Sequence, residues 1–428
     1  MAKKSKFQCP VGMHDILPKE QVYYQKIYDV VSNIADFYGF GKIDTPIVEQ
    51  EELFSKGIGL ATDIVNKEMY ILKTKGGDSL ALRPEWTAPL VRAYIENGMQ
   101  SLPQPVKLWY FGPCYRYERP QAGRYRQFYQ AGFEVLGSDS WITDAQIIQI
   151  FYNILKNLGL KNLIVEVNSI GDSQCRPYYK KVLVNYLKPL RNSLCSDCKR
   201  RLRENPLRIL DCKDEKCQRI IKKGAPQFLD HVCKDCSNHF KNVLETLEEL
   251  EIPYKLNPYL VRGLDYYTRT VFEFFHESEE GKSQIAVVAG GRYDDLVKLL
   301  GGKPTPACGG ALGLERVVNL IKKESKKISK PSPTKIFLAQ VGTLAKRKAL
   351  KLFEEFLKEK IKVGESLNKD SLSLQLKIAD KMNVKYVLIL GQKEALEGKI
   401  IVRDMKQGSQ RTVAMEKVIG EMKRKIKK

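Results

Sequence analysis

The sequence predicts an α+β fold: a large antiparallel sheet with flanking helices, followed by a smaller C-terminal α/β domain. Three observations carry this expectation. At 428 residues the chain exceeds the roughly 250 to 300 residues at which one hydrophobic core stops growing, so two or more domains are expected. Strand-like runs follow one another between residues 69 and 136 with few intervening helices, a pattern of antiparallel pairing and not of a doubly wound parallel sheet. Beyond a Lys, Ser and Pro run, "KKESKKISKPSPT", strand and helix patterns alternate.

The elements follow in order. "KEQVYYQKIYDVVSNIADFYGF" places Val22, Ile27, Val30, Val31, Ile34 and Phe37 at helical spacing and closes at Gly39. "KIDTPIVEQ" reads as a strand, and Pro46 restricts it to an edge or bulge, at a border such as a subunit interface. Strands are expected at "MYILKT", "LALRPEWTAP", "VKLWYFGPCYR", "RQFYQAGFEVLG", "NLIVEVNS", "TVFEFF" and "QIAVVAGG". Residues 172–256 are charged, helical in pattern and poor in strands, so they read as an insertion within a domain spanning 1–325. After the linker, "KIFLAQV", "KALKLFEEFLKEK", "LQLKIADKMN", "KYVLILG" and "KIIVRDM" make a second domain, 334–428.

Hydrophobic content of 43% and charged content of 29% lie near globular averages, which excludes a disordered or fibrous chain. Lys and Arg number 72 against 50 acidic residues, a net charge of +22. That excess draws polyanions such as nucleic acid or an acidic membrane surface, the alternative being solvated charge with no particular partner. "MAKKSKFQCPVG" leads into no apolar stretch of signal-peptide length and no run is long enough to span a bilayer, so no membrane is expected and the cytoplasm is the expected compartment. Six cysteines form Cys195-x-x-Cys198, Cys212-x-x-x-x-Cys217 and Cys233-x-x-Cys236. The two Cys-x-x-Cys pairs, about thirty residues apart, could supply a tetrahedral zinc site; the other reading is packed thiols. His14, His231, His239 and His276 are the only histidines, and each is expected to be structural, with a metal role open only for those near Cys233.

There is no phosphate-binding P-loop and no dinucleotide-binding glycine turn. Arginines appear instead. "YFGPCYRYERPQAGRYRQFYQAGFEVLG" holds Arg116, Arg119, Arg124 and Arg126 around the turn signal "RPQAGR". The planar, permanently charged guanidinium suits carboxylate and phosphate oxygens. "VRGLDYYTRTVFEFF" sets an arginine, a glycine, an aspartate and two tyrosines ahead of a strand, and taken alone reads either as an amphipathic strand or as a ligand pocket.

"GPCYRYERPQAGRYRQFYQ" resembles motif 2 of the class II aminoacyl-tRNA synthetases, in the form found in the histidyl-tRNA synthetase family. The resemblance covers nearly the whole chain. "FGKIDTPIVEQEELF" is similar to the dimer-forming motif 1, and "GGALGLERVVNLI" to motif 3. "RGLDYYTRTVFE" and "AGGRYDDLV" are similar to the two segments peculiar to the histidine enzymes and their close paralogues, and "LRPEWTAP" to their amino-acid loop. The resemblance implies a class II antiparallel sheet, a C-terminal anticodon-binding domain, and ligation of L-histidine to tRNA(His) through ATP, in a homodimer.

It also implies roles. Arg116 would hold the substrate carboxylate and the α-phosphate of ATP, Arg316 the outer phosphates, with Arg124 also at the nucleotide; Arg262 would be a catalytic arginine on the α-phosphate. Tyr267 and Glu134 would face the imidazole with Tyr266 beside them, while Glu85, Thr87 and Gln130 hold the amino group. Glu85 and Thr87 share a face if the backbone is extended, with Trp86, where relatives commonly carry glycine, pointing away. Two adjacent tyrosines can line one pocket only if the chain is irregular there, which Gly263 would permit. Cys114 reads as a small filler that changes no role. Gln121 and Arg124 would approach the acceptor end of tRNA. Mg²⁺ is expected with ATP, without nameable protein ligands. Two other readings are a non-catalytic regulatory subunit of histidine biosynthesis, which typically lacks the C-terminal domain and an intact "RGLDYYTRTVFE", and the sensor domain of a stress kinase, which would carry kinase motifs; this sequence matches neither.

Overall fold

The computed structural model describes residues 6–60, 62–121, 123–278, 281–282, 286–324 and 334–427. They fall into two compact units, Met1–Ile328 and Ser329–Lys428. Most of the linker expected at 322–334 lies outside the described residues.

The first unit opens with α1 (Pro18–Phe37), β1 (Gly41–Lys42), β2 (Val48–Gln50), α2 (Glu51–Ile58), β3 (Ile71–Lys73), β4 (Ser79–Leu82) and α3 (Thr87–Glu96). Next come the long strands β5 (Val106–Tyr115) and β6 (Gln127–Leu136), then α4 (Trp141–Asn157) and β7 (Leu163–Ser169). Four helices follow: α5 (Cys175–Leu187), α6 (Ser196–Glu204), α7 (Glu215–Gly224) and α8 (Lys234–Glu249). The unit closes with β8 (Tyr254–Leu256), β9 (Thr268–Ser278), β10 (Gly281–Lys282), β11 (Val288–Arg292), α9 (Leu296–Leu299), β12 (Ala307–Gly313) and α10 (Leu314–Lys323).

The large sheet runs β1-β5-β6-β12-β11-β9-β7-β8, with β10 attached to β9. Its pairings are antiparallel except at the two ends, where β1 lies parallel to β5 and β8 parallel to β7. Alternation sorts the side chains. On β6, Ala131, Phe133 and Val135 face the helices and join a core with Val31 of α1, Ile148 of α4, Phe240 of α8 and Val317 of α10. Gln130, Gly132 and Glu134 point the other way. Three buried side chains bind α4, α8 and β11 together: Arg292 Nη2 lies 2.5 Å from Asp144 Oδ1, and His239 Nε2 lies 2.7 Å from Asp144 Oδ2.

Several expectations need correction. The strand foreseen through Pro46 is two strands: β1 edges the large sheet, while β2 joins a separate sheet of order β2-β4-β3, because proline cannot donate to a ladder. "LALRPEWTAP" is a strand only to Leu82, after which the chain turns at Pro84 into α3. Phe37 is 82% exposed at the end of α1, its ring against Tyr38, while Tyr24 and Ala35 supply the buried face instead. The two Cys-x-x-Cys pairs do not meet, because each begins a different helix. Cys195 and Cys198 gather with Cys212 and Cys217, whereas Cys233 and Cys236 gather with Cys175 and Asp172. Neither group includes a histidine. His239 and His276 are instead bound to Asp144 and Glu324, and His231 packs against the Tyr178 and Tyr179 rings. Finally, α8 packs its Phe240, Val243 and Leu247 into the main core.

The second unit comprises β13 (Ile336–Gln340), α11 (Thr343–Lys358), β14 (Val363–Glu365), α12 (Leu372–Lys381), β15 (Tyr386–Leu390), α13 (Gln392–Glu397), β16 (Lys399–Asp404), β17 (Gln410–Ala414) and α14 (Met415–Lys427). Its sheet order is β14-β13-β15-β16-β17. Ile336 and Leu338 join a core with α11, α13 and α14, while Phe337 and Ala339 join one with Ala379 of α12. Helices thus cover both faces, as the alternating pattern implied.

Candidate active site

The open face of β6 sets the floor of a cavity. Tyr110 on β5 lies opposite Gly132, where a Cβ would stand 2.2 Å from the tyrosine oxygen. Gly309 on β12 lies opposite Glu134, where a Cβ would stand 1.6 Å from Glu134 Oε2. Only glycine leaves room for both side chains. Glu134 is buried and accepts three hydroxyls: Thr87 Oγ1 at 3.0 Å and Tyr110 at 3.2 Å on Oε1, and Tyr293 at 2.5 Å on Oε2. Burial pushes its pKa up to about 8 despite those donors.

Glu85 and Thr87 do not share a strand face. Glu85 caps α3, its carboxylate accepting the Thr87 N–H at 2.6 Å and the Ala88 N–H at 2.8 Å. Because the backbone is turning into a helix, Trp86 does not point away: it lines the same cavity, stacked on Tyr110 at 4.7 Å with the Arg83 guanidinium 3.4 Å over it. Cys114 is more than a filler, since its Sγ lies 3.4 Å from Gln130 Oε1.

Arginines form the charged wall. Arg116, at the end of β5, donates from Nε to the Pro84 carbonyl at 2.9 Å. Glu118 stands 3.9 Å from Arg116 and 3.0 Å from Arg124. Arg316, in the first turn of α10, donates to the Ala286 carbonyl at 2.6 Å and the Gly123 carbonyl at 3.2 Å. Burial, then repulsion from Arg124 and Arg116, lowers its pKa. Arg262 is paired with Glu273, and its guanidinium lies 5.4 Å from the Tyr267 ring centre. Although burial opposes its charge, Glu273 holds its pKa above the usual arginine value.

Arg116, Arg124, Arg262 and Arg316 therefore line one cavity, together with Glu85, Thr87, Gln130 and Tyr267. Glu134 and Tyr266 stand behind its wall: Tyr266 packs its ring 4.7 Å from that of Tyr267, and its hydroxyl is 3.5 Å from Glu85. The irregularity that brings the two tyrosines together is a turn just before β9, followed at the start of β9 by Arg269 at a φ of 48° and by a register shift against β11 between Gly291 and Arg292. Gly263 is not the cause, since a Cβ there would meet only Arg208 at 3.6 Å. Of the remaining motif arginines, Arg119 is exposed and Arg126 lies over the Tyr117 ring at 3.8 Å. Gln121 pairs with Arg124 across the turn.

Sequence reasoning passed over Tyr110, Glu118, Glu273 and Tyr293. Glu273 carried a usable signal, a carboxylate inside the apolar run "TVFEFF". Tyr110 and Tyr293 carried none, because their partner Glu134 reaches them only through sheet pairing.

Chemically, the cavity offers four fixed positive charges, suited to a polyphosphate, beside a pocket of hydroxyls and carboxylates suited to a small polar amine. The histidyl-tRNA synthetase family model matches residues 12–172 and 201–317, and an anticodon binding domain model matches 335–425. A histidine-tRNA ligase of Desulfitobacterium hafniense is 45% identical over 403 residues, covering 94% of each chain. One of Dehalococcoides mccartyi is 42% identical over 421 residues, 98% of this chain and 100% of that one. The apo histidyl-tRNA synthetase of S. aureus superposes with a TM-score of 0.79 at 33% identity, over 97% of this chain and 99% of that one. With the family model matching most of the first unit, the anticodon-binding model matching the second, and relatives of 42–45% identity matching nearly the whole length, the chain belongs to the histidyl-tRNA synthetase family.

Proposed function

We propose that this chain is a histidine-tRNA ligase: it joins L-histidine to ATP as histidyl-adenylate, releasing pyrophosphate, and passes the histidyl group to the 3′ end of tRNA(His). The observation that carries the reading is the meeting of Arg116, Arg262 and Arg316 around one cavity that also exposes Tyr267.

In this reading Arg316 and Arg124 receive the outer phosphates, and the mutual repulsion of Arg316, Arg124 and Arg116 is relieved when ATP enters. Arg116 and Arg262 meet the α-phosphate, where negative charge grows as the histidine carboxylate attacks; donors already in place need no reorganisation. Tyr267 and, behind it, Glu134 and Tyr266 serve the imidazole, whose two nitrogens need one partner each. Glu85, Thr87 and Gln130 serve the amino group. Magnesium would enter on the phosphate oxygens of ATP. The carboxylates lining the cavity, Glu85, Glu118 and Glu315, are engaged with protein donors.

The catalytic domain in this reading is 1–325 with the insertion 172–256, and 334–428 binds the anticodon. The net charge of +22 supports a tRNA partner. A second copy of the chain would cover the motif 1 region, where Ile47, Val48, Ile71 and Leu72 stand exposed. No described helix is long and apolar enough to cross a membrane, and the reaction belongs in the cytoplasm. The test is exchange of labelled pyrophosphate into ATP with each of the twenty amino acids, followed by tRNA charging. Exchange with histidine alone is the expected result, and exchange with another amino acid or none contradicts the reading.

A further inference from the structure

We propose that the helical insertion is a two-zinc module, with one site of four thiolates and a second of three thiolates and a carboxylate. In the first, the sulfurs of Cys195, Cys198, Cys212 and Cys217 all lie within 4.8 Å of one another. Cys195 Sγ and Cys212 Sγ are 3.8 Å apart. A tetrahedron with Zn–S bonds of about 2.3 Å has an edge of about 3.8 Å. All ten cysteines are unbridged, so the convergence is not that of disulfides. Nor does it resemble packed thiols, which act as small apolar fillers. Backbone N–H groups aim at these sulfurs instead: Cys198 N at Cys195 Sγ, 3.4 Å, and Cys195 N at Cys217 Sγ, 3.3 Å. Such donors are the usual outer shell of metal-bound thiolates.

The second site repeats the design. The ligand atoms of Asp172, Cys175, Cys233 and Cys236 also lie within 4.8 Å of one another. Cys233 N donates to Cys175 Sγ at 3.0 Å, and Cys236 N to Cys233 Sγ at 3.5 Å. Asp172 Oδ1 accepts the N–H groups of Gln174 and Cys175, which turns Oδ2 toward the sulfurs, 3.1 Å from Cys236 Sγ, with Arg269 at 3.8 Å. Soft thiolates in a closed set of four select zinc over harder divalent ions.

The sites sit where they can brace the cavity wall. Cys198 and Cys212 close a segment carrying Arg201, Asn205 and Arg208. Arg201 bonds Asp63 at 2.7 Å, Asn205 bonds Asp265 at 2.7 Å, and Arg208 bonds the Arg262 carbonyl at 3.0 Å. The second site ties the start of α5, whose Arg176 bonds the carbonyls of Tyr267 and Asp265, to the start of α8. This link to the histidine pocket rests on the proposed function; the metal sites do not.

The test is metal analysis of the untagged full chain, purified without chelator, together with the absorption spectrum of its cobalt-exchanged form. About two zinc ions per chain are expected, with thiolate-to-cobalt charge transfer and the intense visible bands of tetrahedral cobalt. Cys212→Ser/Cys217→Ser and Cys233→Ser/Cys236→Ser should each retain about one ion and melt at a lower temperature. Iron in place of zinc, fewer than about two ions in the wild-type chain, or cobalt bands of octahedral type would overturn the proposal. Because none of these readouts involves histidine activation, loss of the metal claim and loss of the enzymatic one are separable.

Discussion

Glu273 and Arg262 form an ion pair, the acid rising from β9 behind the cavity and the arginine lining it from the segment before that strand. The pair fixes the guanidinium beside Tyr267. Glu273→Gln keeps the shape and removes the charge. Hydrogen bonds to charged groups contribute about 1.5 to 3 kcal/mol, so pyrophosphate exchange should fall by roughly tenfold or more. The loss should fall mainly on kcat, and an unchanged kcat would show that Glu273 does not position Arg262.

Arg292 and Asp144 are both fully buried, and Arg292 also donates to the carbonyls of Ser138 and Ser140. Removing one partner of such a pair strands the other charge. Arg292→Met is expected to destabilise the fold by about 3 to 5 kcal/mol, measured by urea unfolding. The Arg292 guanidinium and the His239 hydrogen bond outweigh burial and hold the Asp144 pKa down to about 2. This carboxylate therefore adds stability above its unfolded pKa near 3.8 that is lost as pH falls toward 2.

Glu134 behaves oppositely. Its pKa is raised from 4.5 to about 8 by burial, so between those values the folded chain binds a proton that the unfolded chain does not. Stability of the ligand-free protein should therefore fall as pH rises from about 5 to 8 and level off above. Glu134→Gln should flatten that slope in thermal melts taken across the range. An unchanged slope would place the titration elsewhere.

Trp86 fills the space between Tyr110 and Arg83. Trp86→Ala should cost about 3 to 5 kcal/mol in stability and raise the KM for histidine by disturbing the Glu85 cap, read from melting and from exchange kinetics. Wild-type stability would mean that the site collapses to fill the gap.

The legible parts of the molecule were those in which a residue's role is local. Gln130 and Glu134 were placed by resemblance, and their common face on β6 follows from the strand repeat of two residues; the C-terminal alternation was readable because its helices are amphipathic. α4 escaped notice, since Ile147, Ile148, Ile150, Phe151, Ile154 and Leu155 are all buried and leave no narrow stripe. β12 escaped as a strand because "ACGGALG" has little strand propensity, and its neighbours β6 and β11 impose the conformation. The helical start at Thr87 was hidden by a strand-like run, although Glu85 two residues earlier is an acidic cap. Cysteine grouping could not be read from spacing, because the start of α5 meets the start of α8 only in the folded chain, where Cys233 N donates to Cys175 Sγ.

In the proposed reaction Arg262 stabilises charge on the α-phosphate during histidine activation. The direct measurement is histidine-dependent pyrophosphate exchange by Arg262→Ala beside the wild type, with ATP binding measured separately. A loss of about 10² or more in exchange rate is expected, with ATP affinity changed much less. Exchange near the wild-type rate in a folded Arg262→Ala chain would contradict that role.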